Sequence, residues 1–147
     1  ESRQPSIKNR AQIYVDNLLE LDNWIRLEIG QIPNEKRFLI TNHETMGYFA
    51  NRYEFEVVAR VIDGLSSSKD ITPRDIVDIM NAVEKHQVDV IFSEPRMADK
   101  LAKMISGDTG VVISQLHGES LGSPGSDAGT YIGMMKANVN RIVEGLL

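Results

Sequence analysis

Short runs of apolar, mostly β-branched residues alternate along this chain with segments of helical periodicity, and no other feature constrains its fold as strongly. Arg37 to Thr41, Phe55 to Ile62, Val88 to Ser93 and Gly110 to Ser114 read as strands. A short helix from Glu44 to Arg52 follows the first, with Met46, Tyr48 and Phe49 available for packing. After a Ser/Gly loop, Thr72-Pro73-Arg74-Asp75 is a helix start, with Thr as N-cap, Pro at the first position and Asp at the third. That helix runs to about His86 with Ile76, Ile79, Met80 and Val83 on one face. Pro95 opens another to about Ser106, with Met97, Leu101, Met104 and Ile105 inward. A last helix, with Asp127 as its expected cap, uses Tyr131, Met134, Met135, Val139, Ile142 and Leu146. Strands alternating with helices imply a parallel sheet with right-handed crossovers. The expected fold is α/β: a small four-stranded parallel sheet flanked by helices.

Ahead of this unit, Ile7, Ala11, Tyr14, Leu18, Leu21, Ile25 and Ile29 recur at three- and four-residue steps. They form one face of a long amphipathic helix from Ser6 to Gln31, with Gly30 and Pro33 as stop signals. The sheet does not need this helix for completion, so it reads as a connector to another unit.

Composition removes several function classes. At 147 residues the chain is one domain with a real core. A net charge of −5 with no Lys/Arg run argues against nucleic acid or an anionic membrane as partner. No apolar stretch reaches the ~20 residues of a membrane helix. The absence of cysteine excludes disulfides, thiol catalysis and cysteine-ligated zinc. The chain opens on Glu1 rather than Met and carries no signal peptide, which reads as processing or excision from something longer.

Two strand ends carry candidate metal ligands. His43 follows the first strand, and Glu119 lies in a glycine-flanked loop after the fourth. Ligands of open α/β sheets bind beyond the carboxyl ends of the strands, where the two could share one site. The ordinary alternatives are a capping or surface histidine and a solvated loop acid. Glu44 points elsewhere if a helix starts there, and His117, a potential further donor, reads as exposed. His86, at a helix end, has no functional role beyond the helix dipole. Glu94, ahead of Pro95, is either a residue behind a metal-bound histidine or a helix-entry carboxylate. Gly118-Glu119-Ser120-Leu121-Gly122 spells a nucleophile elbow, but Ser123-Pro124-Gly125-Ser126 intervenes before the helix and all three histidines precede Ser120. The glycine-rich loop has no phosphate-loop pattern.

Several of these segments resemble one known family. The run from Arg37 to Tyr53, including Thr41-Asn42-His43-Glu44-Thr45-Met46-Gly47-Tyr48-Phe49, is similar to the start of the C-terminal lobe in the cluster A-I solute-binding proteins, the metal receptors of zinc and manganese ABC importers. Ile91-Phe92-Ser93-Glu94-Pro95 is similar to their strand-end segment. Glu119-Ser120-Leu121-Gly122, then Thr130-Tyr131, Met134-Met135, Asn138 and Glu144-Gly145-Leu146, resembles their C-terminal metal loop and last helix. The match runs from about Ala11 to the end.

The resemblance implies an interlobe spine helix over residues 1–34 and a C-terminal metal-binding lobe over residues 35–147, with the N-terminal lobe absent. His43 and Glu119 then take the third and fourth ligand positions, half of a set for zinc or manganese. Glu119 stands where the family usually has Asp. The implied role is extracytoplasmic capture of the metal, periplasmic or lipid-anchored at the cell surface, for delivery to an ABC importer permease. No bond is made or broken, so the chain is not an enzyme on this reading. A lobe without its mate exposes an apolar interface, so a homodimer through that face or the spine helix is expected. The rival is a stand-alone metal-dependent α/β hydrolase using His43, Glu44 and Glu119, for which no complete catalytic constellation assembles. A receiver-like signalling module needs clustered acids where Thr41-Asn42-His43 stands, and a phospho-acceptor Asp ending a strand.

Overall fold

The computed structural model describes residues 3–41, 46–60, 71–105, 110–118 and 120–147. The chain runs through α1 (Arg3–Ile29), β1 (Phe38–Thr41), α2 (Gly47–Tyr53), β2 (Glu56–Arg60), α3 (Pro73–His86), β3 (Val90–Ser93), α4 (Pro95–Ile105), β4 (Val112–Gln115) and α5 (Tyr131–Leu146). The four strands form one parallel sheet in the order β2-β1-β3-β4. All four expected strands and the helices between them are present.

Strand periodicity sends alternate residues to opposite faces, and two cores follow from it. Leu39, Val90 and Phe92 pack with Leu21, Ile25 and Ile29 of α1, Phe49 and Tyr53 of α2, and Val139, Ile142 and Leu146 of α5. Ile40 and Ile91 pack with Ile79 of α3 and Leu101 and Ile105 of α4. The inner strands β1 and β3 are nearly continuously buried, whereas β2 and β4 are partly exposed at the sheet edges. Gly145 lets α5 approach the sheet closely: a Cβ there would stand 3.3 Å from Val90 Cγ1 and 3.4 Å from Phe92 Cζ.

The expected start of α3 is present in full. Thr72 Oγ1 accepts from the Asp75 amide at 3.3 Å, and the Asp75 carboxylate accepts from the Thr72 amide at 2.7 Å, a capping box. The expected cap of α5 is not. Thr130 rather than Asp127 caps it, its hydroxyl accepting from the Gly133 amide at 3.1 Å, while Asp127 accepts from the amide of its neighbour Ala128. An Asx contact within the preceding loop competes for the same side chain. On α5, Tyr131 is exposed and Met135 half-buried, against the expectation of an inward face, while Met134, Val139, Ile142 and Leu146 are buried.

The leading helix extends from Arg3 to Ile29, but its apolar stripe is only half used. Leu21, Ile25 and Ile29 are buried, whereas Ile7, Ala11 and Tyr14 are exposed, because α5 and the sheet cover only the C-terminal half. Trp24 adds a cation–π contact to Lys136 of α5, 5.4 Å from the ring centroid. Arg37 closes the C-terminal end of α1. Its guanidinium donates to the carbonyls of Ile32 at 3.2 Å and Ile29 at 3.4 Å, which places a cation where the helix dipole favours one.

Candidate functional site

The strand order creates a topological switch point. The connection from β1 leads outward to β2, while that from β3 leads the other way to β4, so a crevice opens beyond the carboxyl ends of β1 and β3. It is lined by Thr41 from β1, Met46 at the entry of α2, Phe92, Ser93 and Glu94 from the end of β3, and Leu116 and Gly118 beyond β4. Its volume is about 10 Å³, the scale of a single water or ion. Thr41 and Ser93 are almost wholly buried and Glu94 half-buried. The wall is therefore polar at the strand tips and apolar behind them.

Thr41 and Met46 bracket residues 42–45, and Gly118 immediately precedes residue 119, so the crevice wall carries both ends of one candidate segment and the root of the other. His43, Glu44 and Glu119 themselves lie outside the described residues. Among the described residues no group of three or more His, Asp or Glu side chains is placed to hold a metal ion.

The loop that begins at Gly118 is held from both sides. Upstream, the Asn138 side chain, 2% exposed on α5, spans the backbone of His117: its Oδ1 accepts from the His117 amide at 2.9 Å, and its Nδ2 donates to the His117 carbonyl at 2.8 Å. A buried amide satisfied at both ends fixes a backbone segment almost as a sheet partner does. His117 is consequently half-buried rather than exposed as expected. Downstream, the Gly122 amide donates to the Ala128 carbonyl at 2.9 Å, and Ser126 donates to the Ser123 carbonyl through both its amide and its hydroxyl. No helix follows Ser120 until Tyr131, so the sharp strand–turn–helix of a nucleophile elbow is not formed.

Beside the crevice lies a groove of about 520 Å³ between α1, α2 and α5. Val15, Leu18 and Leu19 of α1, Tyr48 of α2, and Tyr131 and Met135 of α5 line it, and Tyr48 is 95% exposed. Asp22, Arg52 and Tyr53 stand on its rim. Arg52 binds the Asp22 carboxylate through Nε and Nη2, both at 2.8 Å, and the Tyr53 hydroxyl donates to it at 2.7 Å. The Arg52 guanidinium holds the Asp22 carboxyl well below the usual carboxylate range against the opposing effect of burial, with Tyr53 and Arg26 assisting. The Arg52 guanidinium is raised in turn, chiefly by Asp22, and burial raises the Tyr53 phenol.

Sequence reading singled out neither Asp22 nor Arg52, and it met Asn138 only within the family resemblance. A 30-residue separation hides the Asp22–Arg52 pair. The i,i+4 spacing of Asp22 and Arg26 was the one local signal.

A doubly wound α/β lobe with a crevice at its switch point has the form of a ligand-binding domain. Residues 2–145 match the family described as zinc-uptake complex component A, periplasmic (ZnuA), and the chain belongs to that family. It is 31% identical to the manganese-binding lipoprotein MntA of Bacillus subtilis (strain 168) over 147 residues, 96% of this chain and 47% of the relative. It is 28% identical to the zinc-binding protein TroA of Treponema pallidum (strain Nichols) over 143 residues, 93% of this chain and 46% of the relative. The solved structure of periplasmic zinc-binding TroA from Treponema pallidum superposes with a TM-score of 0.83 at 26% identity, covering 99% of this chain and 54% of that one. The chain thus spans about half the length of the relatives it matches.

Proposed function

We propose that this chain is one lobe of an extracytoplasmic receptor that captures a divalent transition metal, zinc or manganese, and passes it to the membrane permease of an ABC importer. The observation that carries this reading is the shared crevice. Thr41 and Met46, which bracket His43, and Gly118, which precedes Glu119, line one cleft at the switch point of the sheet. His43 offers an imidazole and Glu119 a carboxylate, a donor pair that suits zinc or manganese. Relatives are named as manganese-binding, zinc-binding and, in Yersinia pestis, iron-binding proteins, so the identity of the metal is a property of individual members. The metal is cargo, and no catalytic step is assigned. Membership of this family leaves the metal-dependent hydrolase reading without support.

Two ligands make half a site, since a zinc site takes four protein ligands, or three with a water. We assign the remaining ligands to a second lobe, in keeping with relatives about twice as long. On this reading residues 1–34 form the spine between the lobes and residues 35–147 the C-terminal lobe. The apolar groove with Tyr48 at its edge is the face a second lobe covers, and in isolation a second copy of the chain takes that place. Calorimetric titration of the metal-free chain with Zn²⁺ and with Mn²⁺, repeated on His43→Ala and Glu119→Ala, tests the ligand set. Weak binding that each substitution abolishes supports it; binding unchanged in both variants refutes it.

A further inference from the structure

Helix α2 spans only seven residues, Gly47–Tyr53, far below the length at which a helix is stable in water by itself. Its position is therefore imposed by what it touches. Phe49, Ala50 and Tyr53 are buried in the core shared with α1. At its C-terminal end one carboxylate, Asp22 of α1, receives both Arg52 contacts, the Tyr53 hydroxyl, and Arg26 Nε at 3.2 Å. The Arg26 and Arg52 guanidinium carbons stand 5.6 Å and 5.9 Å from the centroid of the Tyr53 ring, so the ring holds both cations as well. A bidentate arginine–carboxylate pair fixes orientation as well as distance.

The other end of α2 begins at Met46, which lines both the strand-end crevice and the groove. Residues 42–45 connect Thr41, within the sheet, to Met46, which is buried with Phe49, Ala50 and Tyr53 of α2 in the core shared with α1. We infer that the Asp22–Arg52–Tyr53 cluster is a positioning device: it couples α1 to the segment bearing His43, so that metal retention depends on how α1 is held. The inference rests on the proposed function for the role of His43. It gives α1 a part beyond that of a spacer.

The test uses Asp22→Asn, which keeps the size and loses the charge, Arg52→Met, the double variant, and Arg52→Lys as the conservative rescue. Hydrogen exchange of the metal-free chain is followed in the peptide covering residues 42–50 and in α3 as a remote reference, alongside Zn²⁺ and Mn²⁺ titrations. Asp22→Asn and Arg52→Met each speed exchange in residues 42–50 by about two- to fivefold, the weight of a solvent-screened ion pair, and leave α3 unchanged. Metal affinity falls in parallel, the double variant is no worse than either single one, and Arg52→Lys recovers part of both effects. Unchanged exchange in residues 42–50, or equal acceleration in α3, overturns the inference. A wild-type chain that binds no metal overturns the proposed function instead, and the exchange comparison still decides the coupling of α1 to residues 42–50.

Discussion

Replacing Asn138 with Ala loosens the loop that bears Glu119, and the size of the effect follows from two hydrogen bonds. Asn138 is 2% exposed and holds the His117 amide at 2.9 Å and the His117 carbonyl at 2.8 Å. Each bond contributes about 1 kcal/mol net, and removing the side chain also leaves a small void against α5. His117 is half-buried, so water recovers part of the loss. The expected destabilisation is about 2–3 kcal/mol. With an unfolding entropy of roughly 0.3 kcal/mol/K for a chain of this length, the melting temperature falls by about 7–10 °C, read by calorimetry or circular dichroism. Asn138→Asp keeps the acceptor but turns a carboxylate towards the His117 carbonyl. Its defect at neutral pH therefore shrinks as acid protonates the new carboxylate and restores a donor. Metal affinity of Asn138→Ala falls by about tenfold or more, the usual weight of a group that orients a ligand. A melting temperature within about 2 °C of wild type would refute the assignment of Asn138 as the loop anchor.

Three further outcomes are expected. Because the Asp22 carboxyl is held below its ordinary value, chiefly by Arg52, its contribution to stability is full above about pH 4 and is lost as pH falls further; acid melting curves of Asp22→Asn should therefore be flatter than wild type below that point. Gly133→Ala places a Cβ against the Asp127 backbone carbonyl, and backbone cannot step aside as a side chain can, so stability drops by about 2–3 kcal/mol in denaturant titrations. Thr72→Ala removes the capping box of α3, on the opposite side of the sheet from α1 and α5, and lowers stability by about 1 kcal/mol while leaving metal affinity unchanged.

What the sequence disclosed divides along physical lines. Hydrophobic periodicity is local, so the strands and the helices around them were legible, with their ends placed within about three residues. The Thr72 cap was legible because Pro73 and Asp75 reinforce it within one turn. Asp127 misled because Asx residues serve loops as readily as helix ends, and the structure gives the cap to Thr130. The stripe on α1 gave the helix but not the limit of its packing, which depends on how far α5 reaches. The switch point was beyond sequence reading, since strand order follows from crossovers rather than from any run of residues. The Asn138 clamp, across 21 residues, and the Asp22–Arg52 pair, across 30, are tertiary pairings with no local signature. Imidazole and carboxylate chemistry and strand-end placement are local properties, so the sequence could nominate His43 and Glu119 as candidates, whereas the crevice joining their flanking residues needed the fold.

The most direct measurement is anomalous X-ray diffraction at the zinc and manganese absorption edges on crystals of the chain grown with each metal. Capture at the switch point requires one anomalous peak beyond the carboxyl ends of β1 and β3, about 2.0–2.2 Å from an imidazole nitrogen of His43 and a carboxylate oxygen of Glu119. A peak coordinated by neither residue, or no peak in crystals soaked at saturating metal, would contradict it.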